Sequence, residues 1–351
     1  MLSKISYSFC VAATLVFGAA LPHAHGEGTN DRIRLVKGSE TGEVTNMTPF
    51  EVTYERSFSG KQTAAVNQIK AIIFSEEPGE LAQARVQAGN GAYAKAIQLL
   101  EKIDMGQVRR DFIKQDIEFY KAYCAGKLAL AGEGQIAEAG GLINSFVKNY
   151  PSNYHFLEAS ELMGDMLMAA GRYENAEKQY AELAKAPWPE YKMRADVNLG
   201  RSLQAQKKHA AAIQKFDAAL GQSGDGANAE NQKLSATLGK AVSMAESGKV
   251  NDAVASIQKV IQDADPQQKE LHARAYNALG TCYEKSKQNK EALFAFLHVD
   301  VVYNNVPEAH AEALSHLVPL WKAVGQDERS REAREMLQQK YANSKWAKGV
   351  Q

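Results

Sequence analysis

The sequence predicts a mainly α protein, an α-α superhelix of about six or seven helical hairpins preceded by a small β-barrel-like domain. Three observations carry that expectation. Alanine is abundant while proline and tryptophan are scarce, at 9 and 3 of 351 residues, which favours long helices that meet through small side chains. Between Asp31 and Phe74 the texture is instead short alternating runs rich in Val, Ile, Thr and Tyr, the mark of strands. Past Glu76 one spacing of small and large residues recurs, the mark of stacked units.

The chain opens MLSKISYSFCVAATLVFGAALPHAHGEG. Lys4, an apolar run from Phe9 to Leu21 and a small-x-small site at Ala24-His25-Gly26 predict a cleaved secretory signal peptide over residues 1–26. The apolar run is about 13 residues, short of the roughly 20 that span a bilayer, so no transmembrane helix is expected in the mature chain. Cys10 lies inside that run behind Phe9 rather than at its end after a small residue, which argues against a lipid anchor. Cleavage leaves Cys124 and Cys282, too far apart in a repeat array to be bridged. Lys plus Arg and Asp plus Glu both total 41, so net charge draws the chain neither to nucleic acid nor to a membrane surface.

Residues 27–75 are expected to form the small β domain. The runs DRIRLVKG, GEVTNMTP, FEVTYERS and KQTAAVNQIKAIIF are separated by Gly38, Thr48-Pro49 and Ser59-Gly60, as in a meander of four or five strands. The opening DRIRLVKG and the closing set Val66, Ile69 and Ile72 resemble the SH3-like and Sm-like small barrels. The role expected of it is a folded adaptor packed on the first helices. RNA binding, which Sm-like barrels often perform, is not expected of an exported segment without a basic patch.

The helical solenoid is expected over residues 76–346, with a tail over 347–351. Ala96, Ala176, Ala212, Ala253 and Ala292 are each followed four residues later by Leu100, Tyr180, Phe216, Ile257 and Phe296. Twelve residues before each alanine stands another small residue: Ala84, Gly164, Gly200, Ala241 and Gly280. Gly91, Gly171 and Gly248 fall at the turns between. Antiparallel helices approach closely only where one presents little or no side chain, and a single hairpin cannot bury its apolar face, so the units must stack.

This combination resembles the tetratricopeptide repeat, with its large residue and Gly or Ala on helix A and Ala-x-x-x-aromatic on helix B. The spacings of roughly 36 to 41 residues exceed the usual 34, and Pro187-Trp188-Pro189 and GQSGDGANAEN mark longer connections. Two units depart from the pattern. In the second, Ala125 and Ala137 fit but helix B is offset by about two residues. The last fits Ala333 and Leu337 only with a longer turn after Gly325. YNNVPEAHAEALSHL and QQKYANSKWAKG resemble the closing repeats of envelope-assembly tetratricopeptide lipoproteins.

The resemblance implies a concave groove supplied by helix A. Its positions here are Glu158, Glu161, Asp165 and Met168 in one unit, Arg194, Val197, Arg201 and Gln204 in the next, and Arg274, Asn277, Thr281 and Glu284 in a later one. An acidic unit thus sits beside a basic one, without the Lys/Asn set that clamps a C-terminal carboxylate in cytosolic chaperone-binding members. The function expected is a non-enzymatic scaffold of the periplasm or cell envelope that holds a protein or peptide segment. No catalytic residue, metal or cofactor is expected. Gly132-x-Gly134-x-x-Ala137 matches a dinucleotide fingerprint but follows a helical rather than a strand pattern. His310 and His316 around Glu312 do not have a metal-ligand spacing. Two other classes remain open at this point: a cell-wall-associated module using Trp188 and Tyr191 as exposed aromatics, and a soft-metal or small-ligand carrier using Met163, Met166 and Met168. On a helix Met163 and Met166 face one side, whereas Met168 turns toward another.

Overall fold

The computed structural model describes residues 30–350; the expected signal peptide and Cys10 lie outside the described residues. Five strands come first: β1 (Asp31–Leu35), β2 (Ser39–Met47), β3 (Glu51–Arg56), β4 (Gly60–Ala65) and β5 (Ile69–Ile73), with a 3-10 turn at Val66–Gln68. Alternation sends Ile33, Val44, Val52, Tyr54 and Ile72 to one buried face. Ile33 pairs with Ile72 and Val44 with Tyr54, in an antiparallel sheet of order β4-β3-β2-β1-β5. The edge strands β4 and β5 are not joined, so the sheet is open rather than the closed barrel the small-barrel resemblance implied.

Seven hairpins follow. They are α1 (Gly79–Gly89) with α2 (Tyr93–Leu100), α3 (Asp111–Leu130) with α4 (Ile136–Asn149), α5 (Phe156–Ala169) with α6 (Tyr173–Leu183), and α7 (Pro189–Ala205) with α8 (His209–Gly221). Then come α9 (Ala227–Glu246) with α10 (Val250–Asp263), α11 (Lys269–Lys285) with α12 (Asn289–Val302), and α13 (Pro307–Ala323) with α14 (Asp327–Tyr341). A short α15 (Lys345–Lys348) ends the described chain.

The small-residue positions do what the spacing predicts. A Cβ on Gly164 would stand 2.4 Å from the Tyr180 ring, and one on Gly280 would stand 2.6 Å from the Phe296 ring. The helix-B aromatic therefore occupies the space a helix-A side chain would need. At the turns Gly91, Gly171 and Gly248 have φ of 77°, 71° and 89°, a region glycine enters without steric cost. Lys207 and Lys287 adopt φ of 61° and 60° at the corresponding place, five residues before Ala212 and Ala292. Nothing in their residue type announces it.

The two irregular units resolve differently. In the second, Ala137 is exposed and Ala139, two residues on, is buried with Ile143 and Phe146, the offset the sequence showed; the small residue on α3 is Gly126, against Leu162, with Ala125 only half-buried. The last unit does not have the longer turn expected of it. Three residues separate α13 from α14, as between α5 and α6. Ser330 lies under the turn and donates to the Val318 carbonyl at 2.7 Å, while Ala333 and Leu337 are buried as expected. A hydroxyl that bonds the neighbouring backbone replaces the alanine contact.

The sheet and the first helices share one continuous apolar core. Asp31, fully buried, accepts from the amides of Val44 and Ser75 at 2.8 Å each and from both terminal nitrogens of Arg110 at 2.6 and 2.8 Å. Asn67 donates to Glu190 at 2.8 Å, and Phe50 meets Trp188 edge-on at 6.4 Å. The sheet is thereby held against the starts of α3 and α7. Asp31→Ala leaves two backbone donors and a guanidinium without their acceptor, at a cost of about 2 kcal/mol. Hydrogen exchange should then loosen β1 to β5 before the distal hairpins; strand amides as protected as in the parent would contradict this anchoring role.

Candidate interaction channel

Helices α1, α3, α5, α7, α9, α11 and α13 are the A helices of the seven hairpins. Neighbouring A helices lie side by side, so polar residues at matching turns meet. This decides the fate of most of the twelve positions expected to line the groove.

Glu161 of α5 accepts from Arg194 of α7, in an ion pair, and from Asn198 at 2.8 Å. Gln204 donates to the Gly239 carbonyl of α9 at 2.8 Å. Asn277 of α11 is buried and donates to the Ala309 carbonyl at 2.9 Å and to Glu312 of α13 at 3.0 Å. Glu284 meets His316 of α13 at 2.8 Å. These side chains stitch adjacent A helices together. Of the adjoining acidic and basic units, Glu161 and Arg194 are thus paired with each other.

Other positions are spent within or between units. Val197 is 3% exposed and belongs to the core, not the groove. Met168 is half-buried and packs against the cluster of Leu167, Ala176 and Tyr180. Thr281 donates to the Asn277 carbonyl one turn back at 3.0 Å, and Arg274 pairs with Glu270 of its own helix at 2.5 Å. Glu158 is exposed, with one oxygen 3.3 Å from His155 Nδ1. Asp165 accepts from the Tyr180 hydroxyl at 2.8 Å. Burial first, and then the Glu161 charge, push its carboxyl up to about 6, so it titrates close to neutrality.

Arg201 is the exception among the twelve. Among the described residues it has no hydrogen-bonded or ion-paired partner, and it is exposed although protein surrounds it on several sides. Burial works against its charge, but Glu308, Asp165 and Glu312 hold the guanidinium above its usual range. Facing it from α13, Glu308 is likewise exposed and unpaired. Burial opposes that carboxylate too, yet Arg201, Lys345, Arg274 and Lys127 together hold it below the usual carboxylate range. The sequence reading missed Lys127, Glu308 and Lys345, because residues on α3, α13 and α15 share no local pattern that would put them in one space.

The remaining chemistry is structural. Gly132 and Gly134 lie in the turn between α3 and α4, with a helix where a dinucleotide fold requires a strand. His310 is buried between the Tyr341 hydroxyl and Asp300, at 2.8 Å from each. Cys124 and Cys282 are buried and free, and burial pushes both thiols up to about 12. Met166 joins the first core cluster while Met168 packs in another, so the methionines do not converge. Among the described residues no group of three or more His, Cys, Asp or Glu could hold a metal ion. Trp188 and Tyr191 are half-buried rather than exposed. Trp188 is engaged by Phe50, and the Arg194 guanidinium lies 4.9 Å from the Tyr191 ring centre.

Residues 128–192 and 161–227 match the family model of the tetratricopeptide repeat. Among solved structures the chain is similar to the apo form of RapI, with 15% identity, 75% of this chain and 97% of that chain covered, and a TM-score of 0.57. It is also similar to a tetratricopeptide repeat protein from Parabacteroides merdae, with 16% identity, coverage of 77% and 95%, and a TM-score of 0.53. At these identities the likeness is one of fold. Comparison with curated proteins gives no match.

Proposed function

We propose that this tetratricopeptide-repeat protein is a non-enzymatic interaction scaffold of a bacterial periplasm or cell envelope, holding an extended protein or peptide segment along its inner wall. The observation that carries the reading is the pair Arg201 and Glu308, opposed charges on α7 and α13 that face one space and, among the described residues, have no hydrogen-bonded or ion-paired partner. Ionised groups kept apart in this way are suited to charge-assisted hydrogen bonds with a ligand. The repeat fold supports an interaction role, and the leader-like residues 1–26 support export. Among the described residues no helix is long and apolar enough to cross a membrane.

A photo-cross-linking amino acid in place of Arg201, in cells, tests the reading. It should capture a discrete protein partner in the envelope fraction, and the same group in place of Phe294, on the outer face of α12, should not. A conventional Arg201→Ala variant should weaken binding of the captured partner about tenfold, the equivalent of about 1.4 kcal/mol. Capture at Phe294 alone, or a protein that fractionates with the cytoplasm, would overturn it.

A further inference from the structure

Seven hairpins bring the chain back on itself. Asn343, between α14 and α15, donates from Nδ2 to the Gly132 carbonyl at 3.3 Å, across 211 residues of sequence. Gly132, at the tip of the α3–α4 turn with φ 88°, lies directly against Tyr341; a Cβ on it would stand 3.1 Å from the Tyr341 Cα. The seventh hairpin therefore abuts the second.

The inner wall shows the same convergence. Lys127 of α3, Arg201 of α7, Arg274 of α11 and Lys345 of α15 all act on the single Glu308 carboxylate of α13. With the ends of seven hairpins in contact at Gly132 and Tyr341–Asn343, these five helices face one confined space. An extended segment or a single helix of about 10–12 Å diameter suits such a space, whereas a small folded domain of about 30 Å does not.

We infer that the array is a closed ring with its seam between the Gly132 turn and the Tyr341–Asn343 segment, and that its partner is a single polypeptide segment encircled in the lumen rather than a folded surface docked in an open groove. The inference rests on the reading of the inner wall as the binding site. The seam is the thinnest junction of the ring: a side-chain hydrogen bond and one backbone contact, against the buried aromatic wedges between hairpins. A hydrogen bond of this kind contributes about 1 kcal/mol, so opening at the seam gives a segment lateral entry without disturbing any hairpin.

The test needs no partner. In a Cys10→Ser background, where Cys124 and Cys282 are shielded by burial, Arg201→Cys and Glu308→Cys place one thiol each in the lumen, and Phe294→Cys places one on the outer face at a site 70% exposed. Each is labelled with N-ethylmaleimide and with a maleimide carried on a folded protein of small-domain size. We expect the bulky reagent to react at least tenfold more slowly, relative to the small one, at both lumen sites than at residue 294. Adding Asn343→Ala should raise the bulky rate in the lumen several-fold and leave the small-reagent rate unchanged.

Equal ratios at lumen and outer sites would show an open groove and overturn the ring. A bulky rate that Asn343→Ala does not change would overturn the seam. Two lumen positions guard against one variant that fails to fold, which circular dichroism detects. Partner capture at Arg201 would survive either failure, so the ring and the scaffold reading fall separately.

Discussion

Replacing Asp116 by Ala is expected to lower the stability of the chain by about 4 kcal/mol, the range for removing one partner of a buried ion pair. Asp116 is 1% exposed on α3. One carboxylate oxygen accepts from Arg85 of α1 through Nε at 2.9 Å and a terminal nitrogen at 2.7 Å; the other accepts from the Tyr154 hydroxyl and lies 3.1 Å from His155 Nε2, each at the start of α5. Arg85 also reaches Glu77, after β5, at 2.6 and 2.8 Å. The carboxylate thus joins three consecutive A helices and the end of the sheet. Its loss leaves the guanidinium with Glu77 alone and the imidazole facing the more exposed Glu158. Asp116→Asn retains the shape without the charge and should cost less.

The same cluster sets a pH window. Burial would raise the Asp116 carboxyl, but Arg85 and His155 outweigh it and hold it below its usual value; its contribution is present above about 3.9 and fades as pH falls through the lowered folded value. Burial would lower the His155 imidazole, but the hydrogen bonds to Asp116 and Glu158 outweigh it and raise it. The contribution of His155 is full below about 6.5 and is lost as pH rises through its raised folded value. Urea titrations of the parent between pH 5 and 9 should show stability declining on the alkaline side, and Asp116→Asn should flatten that decline. A loss under 1 kcal/mol for Asp116→Ala, or an unchanged pH slope in Asp116→Asn, would contradict this account.

The hairpins were legible because their determinants are local. Gly164 and Tyr180 are sixteen residues apart and belong to one unit, so a fixed spacing exposes their contact. Strand alternation exposed the sheet in the same way, although not that β4 and β5 would stay apart. What the sequence hid depends on register between units. Arg110 meets Asp31 across 79 residues, and His155 meets Asp116 across 39, with no spacing rule to announce either. For the channel the sequence pointed to positions on helix A, but Val197 went to the core, and which of the polar groups bond a neighbouring helix depends on how the A helices align. That alignment consumed Glu161, Arg194, Gln204, Asn277 and Glu284 and left Arg201 free. Lys207 and Lys287 make the same point for turns, where the surrounding hairpin imposes a backbone conformation that residue type alone would not suggest.

Phe216→Ala should be as costly as Asp116→Ala, for an apolar reason. The ring is fully buried between two glycines of different units: a Cβ on Gly200 of α7 would lie 2.6 Å from it, and a Cβ on Gly239 of α9 would lie 2.3 Å from it. Removing the ring forfeits its burial and leaves a cavity that neither glycine can fill, at about 4 kcal/mol. Gly239→Ala crowds the same ring from the other side and should cost about 2 kcal/mol. Combining Gly239→Ala with Phe216→Leu should cost less than the two single losses added, because the smaller side chain makes room for the new methyl, and the difference measures their coupling. Repeat arrays are held by nearest-neighbour interfaces, so a weakened fourth interface should also split the urea transition of Phe216→Ala in two. The sheet with the first four hairpins would then melt apart from the last three, since one hydrogen bond at the Gly132 seam is too weak to couple them. A single transition shifted by less than 1 kcal/mol would mean that Phe216 is not the wedge between these units.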